Sequence, residues 1–200
     1  MTQIKLLKNT KEVIELDLEE YLRAVVPAEM PSHWPVEALK VQAVAARSYA
    51  VYAIRHPRHD EVKAHLCQPS PGLFVHCQAY DPNQINDKTD LAIDYTCGVI
   101  MTYGGDVVNA LYHSDCGGHT LGNDEVWKSL PVPYLRGVSC PSINKENHYF
   151  RDDRPVNYFG HRVGLCQYGA REMAARGRSW QDILHHYYTD VYFDVIDEVL

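Results

Sequence analysis

Residues 36–56 form an alanine-rich run with a proline at its head and none inside it. Pro35 suits a first helical position, because its missing N–H would have no intrahelical acceptor there, and alanine has the highest helix propensity. The run therefore predicts a helix over 36–56, and the rest of the chain must pack around it. Arg47 lies on this helix with Ala43, Val44, Ala50 and Val51 three and four positions away, so its guanidinium leaves an apolar, small-residue face. Burying it unpaired would cost several kcal/mol. Two readings follow: an anion meets it, from Glu29 or from a bound substrate, or it ties two elements together through backbone carbonyls.

The flanking sequence alternates strands and helices. Ile4 to Leu16 reads as two short strands around Lys8-Asn9-Thr10-Lys11. Asp17, with Glu20 three residues on, marks a helix start, and Leu18, Tyr21, Leu22, Val25 and Val26 recur at helical spacing. Pro27 and Pro31 then predict a frayed end or a turn over residues 26–31. After a proline-bearing loop over 56–82, residues 84–96 carry apolar positions Ile85, Leu91 and Ile93 at helical spacing. Residues 99–103, Gly104-Gly105-Asp106 and residues 107–112 spell a hairpin. A last helix is expected over 170–187, before a strand at Val191-Tyr192-Phe193. The pattern is that of an α+β fold, helices near the N- and C-termini packed around a central antiparallel β region, in a single domain over residues 1–200.

Composition narrows the partners. Hydrophobic residues at 46% and charged residues at 22% are ordinary globular usage, which excludes a disordered, collagen-like or coiled-coil chain. Nineteen Lys+Arg against 26 Asp+Glu, a formal charge of −7, leave no electrostatic footprint for a nucleic-acid partner. No apolar run reaches the roughly 18–20 residues of a membrane span. Met1-Thr2-Gln3-Ile4-Lys5 lacks a signal-peptide apolar region, so the chain reads as soluble. Its six cysteines are scattered, form no paired C-x-x-C, and permit too many pairings for a disulfide connectivity to be read.

Several residues can carry chemistry. Glu29 sits among Val25, Val26, Pro27, Ala28, Met30, Pro31 and Trp34. In apolar surroundings its carboxylate would be desolvated, its pKa raised, and it would serve as a general acid near neutral pH; the alternative is an exposed glutamate at a helix end. His56, His59, His65, Cys67, His76 and Cys77 concentrate imidazoles and thiols in one loop. That loop fits a zinc site, a Cys67–Cys77 disulfide, or free thiols among solvated histidines. Two glycine-bearing stretches, 112–120 and 160–170, carry Cys116 and Cys166 near histidines and invite a cysteine–histidine nucleophile reading, that of a zinc- or thiol-dependent peptide hydrolase. Their glycines point to tight turns or close ligand approach. His185 and His186 read as surface residues at a helix end.

The stretches Leu16-Asp17-Leu18-Glu19-Glu20-Tyr21-Leu22, Val26-Pro27-Ala28-Glu29-Met30-Pro31 and residues 37–49 through Arg47, then His76-Cys77-Gln78-Ala79-Tyr80, residues 112–120 with Val126-Trp127 and Pro133-Tyr134-Leu135, and residues 160–170 follow one another in order. Together they resemble the stage II sporulation protein D family over most of residues 15–193. The chain departs from the family pattern at Arg162 and Cys166, where Gly and Ser are expected, and its connection from Ser142 to Tyr158 is short.

The resemblance implies a peptidoglycan lytic transglycosylase. Such an enzyme cuts between N-acetylmuramic acid and N-acetylglucosamine on strands stripped of stem peptides by a partner amidase, leaving 1,6-anhydromuramyl ends. The family's catalytic glutamate falls on Glu29 and its arginine on Arg47. His113, Gln167 and Tyr168 are expected to line a sugar cleft. No cofactor is required for the chemistry, and a structural zinc would draw on Cys67, Cys77 and a histidine such as His59 or His76. The implied partners are peptidoglycan glycan strands and an amidase, and the implied location is extracytoplasmic, at the cell envelope. The rival implication, from amidase-enhancer relatives, is a non-catalytic module that binds peptidoglycan and stimulates a partner amidase.

Overall fold

The computed structural model describes residues 2–8, 12–68, 77–142, 149–151, 154–156 and 158–196. The fold is α+β. Where the sequence reading puts one domain, the chain gathers into two compact units, Met1–Asn109 with Phe193–Leu200, and Ala110–Tyr192. Among the described residues no helix is long and apolar enough to cross a membrane.

The first unit is built on helix α2 (Val36–Arg55), which ends one residue before the predicted limit. Leu39, Val41, Val44 and Val51 on its different faces are all fully buried. A helix apolar nearly all round belongs in the middle of a core, and each such side chain contributes about 1.5–3 kcal/mol on burial. Helix α1 (Leu18–Glu29) packs on it. Asp17 caps α1 by accepting from the Glu19 and Glu20 amides. The helix runs through Pro27 to Glu29, where a frayed end from Val26 was expected. The proline falls in the last turn, so only the ladder bond of its own missing N–H is lost, and Met30 N–H still reaches Val26 O at 2.9 Å.

Strands β1 (Gln3–Lys8) and β2 (Glu12–Asp17) pair antiparallel, and β3 (Leu66–Cys67) joins β1 in parallel with Leu7 opposite Cys67. Helix α3 (Asp87–Tyr95) is shorter than the predicted 84–96 and buries Thr89, Ala92 and Ile93, leaving Ile85 and Leu91 exposed. Its phase is set by Asn86, whose side chain accepts from Thr89 N and starts the helix there. Strands β4 (Val99–Tyr103) and β5 (Asp106–Val107) form the predicted hairpin, with Gly104 and Gly105 at φ of 62° and 88° in the turn. Strand β5 stops at Val107 rather than continuing to residue 112. From Phe193 on, β10 (Tyr192–Val195) lies beside β4.

The second unit holds β6 (Tyr112–His113), α4 (Asn123–Trp127), the hairpin of β7 (Tyr149–Arg151) and β8 (Arg154–Val156), β9 (Leu165–Cys166), α5 (Gln167–Ala175) and α6 (Trp180–Tyr187). Strands β6 and β9 pair in parallel, Tyr112 with Leu165 and His113 with Cys166. The single helix predicted over 170–187 is two helices. Gly177 at φ 82° ends the first, and Ser179 and Asp182 form a reciprocal cap that starts the second.

Candidate active site and thiol clusters

Glu29 is the last residue of α1 and is half-buried. The Ala79 N–H donates to its Oε1 at 2.6 Å. The strip that carries Ala79 is fastened to both helices. Gln78, 2% exposed, accepts from Tyr21 Oη at 3.1 Å and donates from Nε2 to Ala46 O at 3.1 Å. Asp81 N–H reaches Ala24 O at 3.0 Å, and the Tyr80 ring stacks on Tyr21 with centroids 5.6 Å apart. One carboxyl oxygen of Glu29 is thus held by a fixed amide, which sets the direction of the other. Burial first, then the charges of Cys77 and Glu29, hold the Tyr21 phenol well above its usual pKa. Burial raises Tyr49 in the same way against the opposing pull of Arg58, so both phenols stay protonated as donors.

Arg47 meets Glu19, not Glu29. Its Nε and Nη2 donate to Glu19 Oε1 and Oε2 at 2.7 and 2.8 Å. Its remaining N–H groups reach Ile93 O at 3.3 Å, Val99 O at 3.1 Å and Thr96 Oγ1 at 3.5 Å. All five guanidinium donors are used inside the protein, and the side chain is fully buried. Both sequence readings of Arg47 therefore hold in part, an anion and backbone carbonyls together. The anion is the glutamate at the start of α1, about 15 Å of helix from Glu29. Arg47 joins α1, α2, α3 and β4.

The loop of histidines and cysteines brings His59, Cys67 and Cys77 together, with ligand atoms within 4.8 Å of one another. Strand β3 fixes Cys67, and a tight turn with Lys63 in the left-handed region returns the chain so that His59 bridges Ala64. His59 Nε2 lies 3.5 Å from Cys77 Sγ, and its Nδ1 lies 3.8 Å from Glu61 Oε1. Two thiols and an imidazole backed by a carboxylate are a donor set that suits zinc. Burial first, then the neighbouring Cys77, pushes the Cys67 thiol up to about 12. His56 is exposed and His65 half-buried; neither joins the group. His76 lies outside the described residues.

His113, Gln167 and Tyr168 belong to the second unit. His113 is 5% and Gln167 6% exposed, so neither presents itself to a sugar in the way the sequence suggested; only Tyr168, beside Arg171, is partly open. His113 is buried because β6 pairs with β9 and turns its ring toward the interior. Desolvation first, then His161, lowers its pKa to about 3, so the ring is neutral. Cys116 and Cys166, the thiols of the nucleophile reading, are fully buried and closed to a peptide substrate. Ala79 is the functional group that sequence reasoning missed, because a backbone N–H has no signature of its own; its position inside the Cys77-Gln78-Ala79-Tyr80 stretch was the available signal.

Residues 7–103, which hold Glu29, Arg47 and the His59–Cys67–Cys77 group, match the family model described as Stage II sporulation protein. The stage II sporulation protein D of Bacillus amyloliquefaciens is 26% identical, over 94% of this chain and 77% of its own length. The chain belongs to the stage II sporulation protein D family. The chain is also similar to an uncharacterized protein of Brachyspira hyodysenteriae, 38% identical over 67% of this chain, and to the amidase enhancer of Bacillus subtilis, 38% identical over 57%. The chain spans only 35% and 14% of the lengths of those two relatives.

Proposed function

We propose that this family member serves the sporulation cell wall as a lytic transglycosylase, with Glu29 as its single acid and base. The observation that carries the reading is the placement of Glu29 at the end of α1 with one oxygen held by Ala79 N–H at 2.6 Å. Protonated Glu29 gives its proton to the glycosidic oxygen as the bond to the muramyl C1 breaks. The resulting carboxylate takes the proton of the same sugar's 6-hydroxyl as O6 bonds to C1. One proton leaves and one returns, and no water is consumed, so the second carboxylate of a hydrolase has no task here.

Arg47 acts at a distance, as a positioning residue that clamps the start of α1 through Glu19. Zinc on His59, Cys67 and Cys77 would be structural, cross-linking the loop. Cys77 is two residues before Ala79, so a fixed Cys77 supports the amide that orients Glu29. The substrate in this reading is a peptidoglycan strand already stripped of stem peptides, which puts the reaction outside the cytoplasm and downstream of an amidase.

A second reading is favoured by the 38% identity to a protein named amidase enhancer: a module that grips the wall and stimulates an amidase without cutting. Glu29→Gln separates the two. As an enzyme, the variant should lose about 10²-fold or more of its cleavage of peptide-free strands while still binding them. Cleavage undiminished in the variant, or none by the wild type beside a stimulated amidase, would overturn the enzymatic reading.

A further inference from the structure

The second unit contains a group of donors that the proposed glycan chemistry does not use. Cys116, Cys140 and Cys166 are far apart in sequence, yet all three are buried and their sulfurs lie within hydrogen-bonding reach of one another. Parallel pairing of β6 with β9 sets His113 beside Cys166. The ligand atoms of His113, Cys116 and Cys166 lie within 4.8 Å of one another, and the Cys140 thiol is in hydrogen-bonding reach of both other sulfurs.

Each sulfur also receives a backbone amide from just beyond it in the chain. Gly118 N–H points to Cys116, Ser142 N–H to Cys140 at 3.4 Å, and Gly169 N–H to Cys166 at 3.4 Å. Tyr187 Oη is 3.0 Å from Cys140 Sγ. A neutral thiol is a weak acceptor, whereas a thiolate bound to a cation is commonly steadied by such donors. Cys166 Sγ also lies 3.7 Å from Ser114 O, a contact that a thiolate would give up.

The imidazole completes the set. His113 Nδ1 is 3.2 Å from Val163 O. A carbonyl only accepts, so the ring proton is on Nδ1 and the lone pair on Nε2. That Nε2 is buried with no hydrogen-bond partner among the described residues, which is costly for a polar atom unless something binds it. Gly169 leaves the space: a Cβ there would lie 2.4 Å from Cys140 Sγ and 2.0 Å from Tyr187 Oη.

We infer that the second unit binds a zinc ion of its own through His113 Nε2, Cys116, Cys140 and Cys166. One nitrogen and three sulfurs make the closed, four-ligand set of a structural zinc site. It is separate from the His59–Cys67–Cys77 group, shares no ligand with it, and does not depend on the transglycosylase reading. The thiols lose their protons to solvent on binding, and no oxidation is involved.

The test is zinc content by elemental mass spectrometry on the purified chain, together with anomalous scattering at the zinc edge from crystals of the wild type. Cys67→Ala should retain one zinc per chain, because it leaves the second unit untouched. Cys116→Ala with Cys166→Ala should lose that zinc, and a wild-type anomalous peak should lie among the four ligand atoms. A folded Cys67→Ala protein without zinc overturns the inference. So does a wild-type crystal with no peak at His113, iron there in place of zinc, or a disulfide among the three cysteines.

Discussion

Arg47 and Glu19 show how much one buried charge organises. The guanidinium is inaccessible and its partner's side chain is 24% exposed, so removing the arginine takes two donors from the Glu19 carboxylate and one each from Ile93 O and Val99 O at once. Arg47→Ala should destabilise the protein by about 3–5 kcal/mol, read as a fall in the urea midpoint; a loss below about 1 kcal/mol would mean that water replaces the clamp. His65 gives a pH dependence. Its Nδ1 accepts from the Lys5 amide at 3.0 Å, and burial, with Lys5 second, lowers its pKa below 6.5. A lowered histidine leaves the unfolded chain binding the extra proton, so this contribution is complete above pH 6.5 and is lost as the pH falls below it. Urea midpoints measured from pH 7.5 to 5 should fall less steeply for His65→Asn, whose amide oxygen keeps the acceptor without the titration. That a buried Arg47 needs partners, an anion or backbone carbonyls, was legible in its apolar neighbours. Which glutamate it meets was not, because Glu19 and Glu29 lie on one helix and only tertiary packing selects between its ends.

At the scale of elements, the helix over 36–55 could be read almost to the residue, since composition, a leading proline and an unbroken run agree. Two of the failures share one cause: a local hydrogen bond overrides periodicity. Asn86 begins α3 later than its apolar spacing suggests, and Ser179 starts a new helix where the pattern looked continuous. Ser179 accepts from Asp182 N at 3.2 Å while Asp182 Oδ2 accepts from Ser179 N at 3.3 Å. Ser179→Ala should therefore cost about 1 kcal/mol, and Ser179→Asp should cost little. Thermal unfolding of the two variants measures the difference; equal midpoints would show that tertiary packing alone holds α6. Pro27 errs the other way, since a proline in a last turn removes too little to stop the helix before Glu29.

For the whole molecule, the α+β class was legible, and the thiols and imidazoles of the 56–82 loop were legible as candidate donors; that His59 joins Cys67 and Cys77 was not, since the loop offered several histidines and only its folded path sets one beside the two sulfurs. The division into two units was not, as it follows from which strands pair over long separations: β1 with β3, and β6 with β9. The same pairing buries His113, which sequence alone had assigned to a sugar. In the proposed mechanism one carboxylate at the end of α1 acts first as acid and then as base on a sugar that supplies its own nucleophile. The direct measurement is mass spectrometry of peptide-free glycan strands cleaved by the wild-type chain in ¹⁸O-enriched water. New muramyl ends that are lighter by one water and carry no ¹⁸O are the predicted result, because the proposed mechanism has O6, not solvent, attack C1. New reducing ends that carry the label would mean that water is the nucleophile, and would contradict the account.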